Sequence, residues 1–195
     1  MKKRKIFLIS LLAALLAITA IGSSAFFNAE DTAHNVITSG RVNIAVIETM
    51  LDGTKLTHFP AEGISGVMPG AAVSKIVQVR NTGDAEAWIR VRVGTTAKSA
   101  AQEPLEPDFV HFDTESDWLD GGDGYYYYHK AVSAGDETTP LLREVRFDPD
   151  MSNDYQNCTV YIAVDAQAVQ TANNAVPAGG SVWDVAGWPD AEGGN

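Results

Sequence analysis

Any chemistry in this chain of 195 residues would have to come from four histidines, one cysteine, two acidic stretches and a run of tyrosines. His34, His58, His111 and His129 are scattered. None belongs to a His-Glu-x-x-His motif and no two stand four residues apart, so the pairing by which a helix face grips zinc is missing. Serine and aspartate are frequent, yet no Gly-x-Ser-x-Gly elbow and no glycine-rich phosphate loop ending in Lys-Ser/Thr accompanies them. Asp148-Pro149-Asp150-Met151-Ser152-Asn153-Asp154 spaces oxygens at alternate positions, as calcium loops do. Its sixth position is Asn153 where such loops need glycine, and its twelfth is Thr159 where they need glutamate. Asp120-Gly121-Gly122-Asp123-Gly124 is incomplete in the same way, and solvated turns select these residue types anyway. No cofactor is called for, and calcium is the one candidate left open.

Tyr125-Tyr126-Tyr127-Tyr128 offers either a stacking platform for a sugar or peptide, or a strand with two tyrosines packed inward and two outward. The second is expected, because tyrosine suits a half-buried strand. Arg90 or Arg92 on a neighbouring strand is a candidate cation–π partner for these rings. Cys158 alternates with Val160, Ile162 and Val164, so it reads as a small buried hydrophobe rather than a nucleophile. As the only cysteine it excludes an internal disulfide, and the fold must rest on its core.

The first thirty residues set the compartment expected. Lys2, Lys3, Arg4 and Lys5 precede an uncharged stretch from Ile6 to Ala29, and Gly22-Ser23-Ser24-Ala25 ends its apolar part with small residues. Basic cluster, apolar run and small residues, in that order, make a secretory signal peptide. The competing reading is a retained membrane anchor, since about 20 apolar residues span a bilayer. Cleavage is favoured because no basic stop-transfer cluster follows. The bond expected to break is Ala25–Phe26, with Ser24–Ala25 the alternative. Losing the leader leaves ten Lys and Arg against 25 Asp and Glu, a formal charge of about −15. Such a surface repels nucleic acid and anionic lipid, so neither is an expected partner, and membrane contact is expected only through an uncleaved leader.

Period-two patterning then dominates. Val42, Ile44 and Val46 share one side of a strand. Val73, Lys75, Val77 and Val79 alternate with Ser74, Ile76, Gln78 and Arg80, and beyond the Asn81–Asp84 turn Ile89, Val91 and Val93 alternate with Trp88, Arg90 and Arg92. More strands are expected at Phe109–Phe112, Tyr125–Lys130, Leu142–Phe147 and Cys158–Ala166, and one helical turn at Ala97–Gln102 before Pro104. Six to eight short strands with Gly, Pro and Asp at the joints predict an all-β, two-sheet, jelly-roll-like sandwich. The expected division is 1–25 signal peptide, 26–41 N-terminal segment, 42–175 sandwich and 176–195 a Gly/Pro-rich tail. That tail has Trp183 and Trp188 as its only large anchors and is expected to fray at Glu192–Asn195.

With these segments in place the chain resembles the TasA/camelysin (CalY) biofilm-matrix proteins. The likeness lies in Ala25-Phe26-Phe27-Asn28 followed by Ala33–Ile44, in Met68-Pro69-Gly70 leading into Val77–Gly83, in Gly124–Tyr128 followed by Thr138–Leu142, and in Ala166–Gln170. The resemblance implies export by a signal peptidase of the SipW type, a jelly-roll domain, and a structural, non-enzymatic role in extracellular fibres at the cell surface of a Gram-positive bacterium. It further implies self-assembly by donor-strand exchange, together with accessory matrix proteins. The donor segment would then be 26–41, with Phe26, Phe27, Ala29, Ala33, Val36 and Ile37 carrying polymerisation. Some members bear a metallo-endopeptidase label, for which no ligand set is visible here.

The assembly has a physical rationale of its own. Ordering ten residues costs about 10–20 kcal/mol of backbone entropy. About eight hydrogen bonds return roughly 4–12 kcal/mol, and burying Phe26, Phe27, Val36 and Ile37 returns roughly 6–12 kcal/mol. The aromatic rings at the tip therefore decide the balance. A monomeric adhesin-like module using Tyr125–Tyr128 as its binding face is the alternative, and a secreted metallopeptidase a distant third.

Overall fold

The computed structural model describes residues 36–38, 42–60, 68–151, 155 and 157–189. The signal segment, the Ala25–Phe26 bond and the candidates Phe27, Ala29 and Ala33 lie outside the described residues, as do Ser152–Asp154 of the Asp148–Asp154 stretch and the Glu192–Asn195 end. One compact unit, Thr32–Asn195, contains both sheets.

Eleven strands follow in chain order: β1 Val36–Thr38, β2 Ile44–Asp52, β3 Lys55–His58, β4 Ala72–Asn81, β5 Ala87–Lys98, β6 Pro104–Leu105, β7 Val110–His111, β8 Trp118–Asp120, β9 Tyr126–Tyr128, β10 Leu142–Phe147 and β11 Thr159–Gln170. They form a two-sheet sandwich. One sheet has the order β1-β11-β5-β9-β8 with β6 on the end of β5, and the other the order β3-β2-β4-β10-β7. Among the described residues, pairing is antiparallel everywhere except between β1 and β11.

The alternation read from sequence is what builds the core. Val77 and Val79 of β4, Ile89 and Val91 of β5, and Val164, Ala166 and Ala168 of β11 are fully buried, each facing the opposite sheet. Successive side chains of a strand point to opposite faces, so this single choice of face turns every second residue outward. Phe109, Trp118, Tyr128, Leu141, Leu142 and Phe147 fill the remaining interior. The Trp118 indole donates to the Thr139 carbonyl at 3.1 Å. The Tyr128 hydroxyl accepts from the Thr139 amide at 3.2 Å, so these large rings bury their polar atoms with partners.

Asn81 governs the passage from one sheet to the other. Fully buried, its Nδ2 donates to the carbonyls of Ala85 and Val132, and its Oδ1 accepts the Gly83 amide. β4 and β5 are consecutive in the chain, as expected, but this link carries the chain across the sandwich instead of closing a hairpin. β9 to β10 and β10 to β11 cross likewise, which gives the jelly-roll character.

One local expectation needs correction and a second needs an addition. Ala97 and Lys98 continue β5, paired with Val160 and Thr159 of β11, so the helical turn is replaced by a strand end and a Ser99–Gln102 turn with Gln102 at φ +66°. The ladder satisfies backbone groups that a single isolated turn would leave open, and it prevails. Tyr126 and Tyr128 pack inward and Tyr125 and Tyr127 point outward, as expected, yet the outward pair is only about 1 % exposed. The outward side of β9 is therefore covered. Its cover is the tail, whose Val182 and Val185 are buried.

Candidate functional site

Two features of the sandwich are organised beyond what the core needs: an incompletely paired edge and a buried arginine on the outward face of the same sheet.

The edge is that of β11. On one side β11 pairs with β5 along its whole length, from Thr159 opposite Lys98 to Gln170 opposite Ala87. On its other side β1 covers three residues only, Val36 opposite Ala166, Ile37 opposite Gln167 and Thr38 opposite Ala168. Among the described residues, Thr159–Asp165 therefore has no strand on its outer edge. β2 lies against β1 and β11 in the facing sheet. It is paired by β3 only at Thr49–Asp52, with Phe59 reaching the Glu48 carbonyl. Among the described residues, Ile44–Ile47 is thus a second open edge on the same side. Between them Val46, Val160 and Ile162 pack on the core yet stay half-buried. Unpaired backbone beside half-covered aliphatic side chains is the surface that accepts another strand.

Farther along that seam, Lys75 takes an inward position on β4 with only 2 % of it exposed. Its ammonium lies 2.6 Å from Glu48 Oε1 and 3.8 Å from the centre of the Phe59 ring. Burial draws the Lys75 pKa below its ordinary value, against the pull of the Glu48 carboxylate. Lysine on the apolar face was visible in the alternation. Glu48 as its partner was not, because the pair is diagonal across two strands and rests on register.

Arg90 lies on the opposite, outward face. Its Nε and Nη2 donate to Gln167 Oε1 at 2.8 and 2.6 Å, Nη1 donates to the Tyr127 hydroxyl at 3.0 Å, and Nη2 also donates to the Pro189 carbonyl at 2.5 Å. The guanidinium sits 4.0 Å from the ring centre of Tyr125 and 5.0 Å from that of Trp188. The nearest carboxylate in the group, Asp123, is 4.0 Å away. A buried cation is thus held mostly by neutral acceptors and ring faces, which offset part of its lost hydration. Arg92 lies 5.5 Å from Tyr125, so both arginines singled out in the sequence do meet the tyrosine run.

Tyr127 links this group to a carboxylate, donating to Asp123 Oδ2 at 2.6 Å. Burial, then the bond to Asp123, pushes the Tyr127 phenol up to about 12. Burial works to raise the Asp123 carboxyl. The Tyr127 hydroxyl, the Tyr125 amide and Arg90 outweigh it, leaving Asp123 below the usual range. The anchors Trp188 and Val182 cover these rings, and Trp183 lies edge-on to Tyr127, 41 % exposed.

The other candidates stay apart. Cys158 packs on the core with Val160 and Ile162, and burial pushes its thiol up, away from nucleophilic use at neutral pH. Asp120 Oδ1 accepts the Gly122 amide, Asp123 Oδ1 that of Tyr125 and Asp148 Oδ1 that of Asp150, so these oxygens close their own turns. His111 and His129 are half-exposed beside Asp148 and Asp117 respectively. Among the described residues no three His, Cys, Asp or Glu side chains gather as a metal would require. A shallow depression at Asn43, Thr82, Gly83 and Asp84 contains no nucleophile–base pair.

Comparison with known proteins returns no match to a family model, a curated protein or a solved structure.

Proposed function

We propose that the protein is a secreted structural subunit of extracellular biofilm-matrix fibres, in which the N-terminal segment of one copy completes the sheet of the next. The observation that carries this reading is the disparity at β11: twelve residues on offer, three of them taken by β1 among the described residues. Three parallel edge pairings contribute on the order of two hydrogen bonds, roughly 1–3 kcal/mol, and are easily exchanged. The register also supports it. Continued upstream without a shift, it would set Ala29–Asn35 against Thr159–Asp165, the open stretch of β11. A donated strand reaching back through Ala29 would cover Thr159–Ala168, ten of the twelve residues, with Phe26 and Phe27 beyond its end.

Further support comes from the leader-like first 25 residues, the acidic surface after them and the likeness in motif order to the matrix proteins. On this reading Ala25–Phe26 is cut by a signal peptidase of the SipW type, accessory matrix proteins join the assembly, and no catalysis or cofactor is involved. The adhesin-like alternative is less well supported, since Tyr125, Tyr127 and Tyr128 lie under cover.

The test compares protein beginning at Phe26 with protein lacking Phe26–Asn28. The first should scatter increasing light over hours and show filaments by electron microscopy. The second should stay a folded monomer. Equal filament formation by both would sink the strand-donation mechanism.

A further inference from the structure

The tail that covers Arg90 is attached in an unusual way. Among the described residues no main-chain hydrogen bond joins Ala175–Pro189 to either sheet. The bonds in this stretch are local: Gly180 to the Pro177 carbonyl, Asp184 to that of Ser181 and Val185 to that of Val182. What holds Ser181–Pro189 down is the burial of Val182 and Trp188 against Tyr125 and Tyr127, together with the Arg90 bond to the Pro189 carbonyl. The Trp188 indole donates to the Val182 carbonyl, so the segment keeps its own shape as a compact strap. Its hinge is equally distinct. Asn174 is pinned, its Nδ2 donating to the Gln170 carbonyl and its own carbonyl accepting the Trp88 indole. Between that point and Ser181 lie Ala175–Gly180, with Gly179 at φ +75°.

We propose that the Arg90 face is a peptide-docking groove, and that the strap of a second copy fills it in place of the chain's own. The protein would then carry a C-terminal self-contact independent of its N-terminal strand. The groove's chemistry is written by its present occupant: ring faces for one tryptophan, an apolar slot for one valine, and a buried guanidinium for one backbone carbonyl. A second copy brings the identical ligand, so exchange alters only the path of the hinge. No strand pairing has to break on release. Six hinge residues span at most about 20 Å, enough to close within one chain, and a shorter hinge favours the partner.

The experiment deletes Val176–Gly179 in protein that also lacks Phe26–Asn28, which removes N-terminal association from the measurement. Size-exclusion chromatography with light scattering should show the dimer fraction rise at least tenfold over the undeleted control at equal concentration. Adding Trp188→Ala should return it to monomer. A deletion variant that stays monomeric, or whose oligomers survive Trp188→Ala, overturns the proposal. Should the deletion prevent folding, the intact chain is titrated with fluorescein-labelled peptide spanning Ser181–Asn195. Saturable binding, weakened at least tenfold when the peptide carries Trp188→Ala, is the expected result. No saturable binding, or binding indifferent to that change, overturns it.

Discussion

At the scale of single residues, the polar groups this fold buries are the ones whose loss should be felt most. Asn81 satisfies two carbonyls and one amide at the crossing between sheets. Asn81→Ala removes all three bonds at once; the Gly83 amide keeps the Asn43 carbonyl and the Val132 carbonyl keeps the Ala87 amide, so an expected loss of about 1–2 kcal/mol would appear as a lower urea midpoint. Tyr127 provides a titration test. Its phenol is raised from 10 to about 12 in the folded state, so the fold retains this proton after the unfolded chain has lost it. The stabilisation is complete below pH 10 and disappears as pH rises through 12. Asp123 beside it is 44 % exposed, and discounting for the water that reaches the pair leaves about 1–2 kcal/mol. Unfolding followed between pH 9 and 12 should show this slope, and Tyr127→Phe should remove it. A slope unchanged in Tyr127→Phe would mean other groups govern alkaline unfolding.

At the scale of elements, the strap and the open edge differ in how they are fastened, and stability should report the difference. Trp188 packs on Tyr127 at 5.5 Å between ring centres and on Arg90. Trp188→Ala should cost about 1–3 kcal/mol, less than truncating a fully enclosed tryptophan because one side faces water. It should also loosen the stretch after Asn174 to protease while the sheets stay intact. Cleavage within β5 or β11 at the same rate would show that the strap holds the sandwich together. The elements were unevenly legible in the sequence. β2, β4, β5, β10 and β11 announce themselves because apolar residues recur at every second position along much of each. β3, β6 and β8 do not. Lys55-Leu56-Thr57-His58 has one aliphatic residue in four, Pro104–Leu105 borrows its pairing from the end of β5, and Trp118–Asp120 is too short to show a period. The burial of Arg90 could not be read locally at all, since the carbonyl that closes over it lies 99 residues further along the chain. The tail's tryptophans were the available signal, marking an anchor without saying where it lands. The edge of β11 left open among the described residues was equally hidden, because alternation tells which face is buried and nothing about which neighbours a strand acquires.

At the scale of the whole molecule, charge and edge chemistry oppose each other. The chain from Phe26 onward carries a formal charge of about −15, and copies brought edge to edge must overcome that repulsion before any hydrogen bond forms. The repulsion is long-range and screened by salt, with a Debye length falling from about 30 Å at 0.01 M to about 8 Å at 0.15 M. On the strand-donation proposal the docking itself would join uncharged backbone groups and the aliphatic side chains Val46, Val160 and Ile162, and would depend on salt far less. Strand donation therefore predicts that salt acts on the approach of subunits rather than on the contact they make. Protein beginning at Phe26 should assemble several-fold faster at 0.15 M than at 0.01 M sodium chloride, followed by light scattering. Its filaments, once formed, should survive dilution back into low salt over the same period. Protein lacking Phe26–Asn28 should remain monomeric at both concentrations. Slower growth with added salt would instead point to ion pairs holding the subunits together, and the open edge of β11 would lose its claim to be the contact.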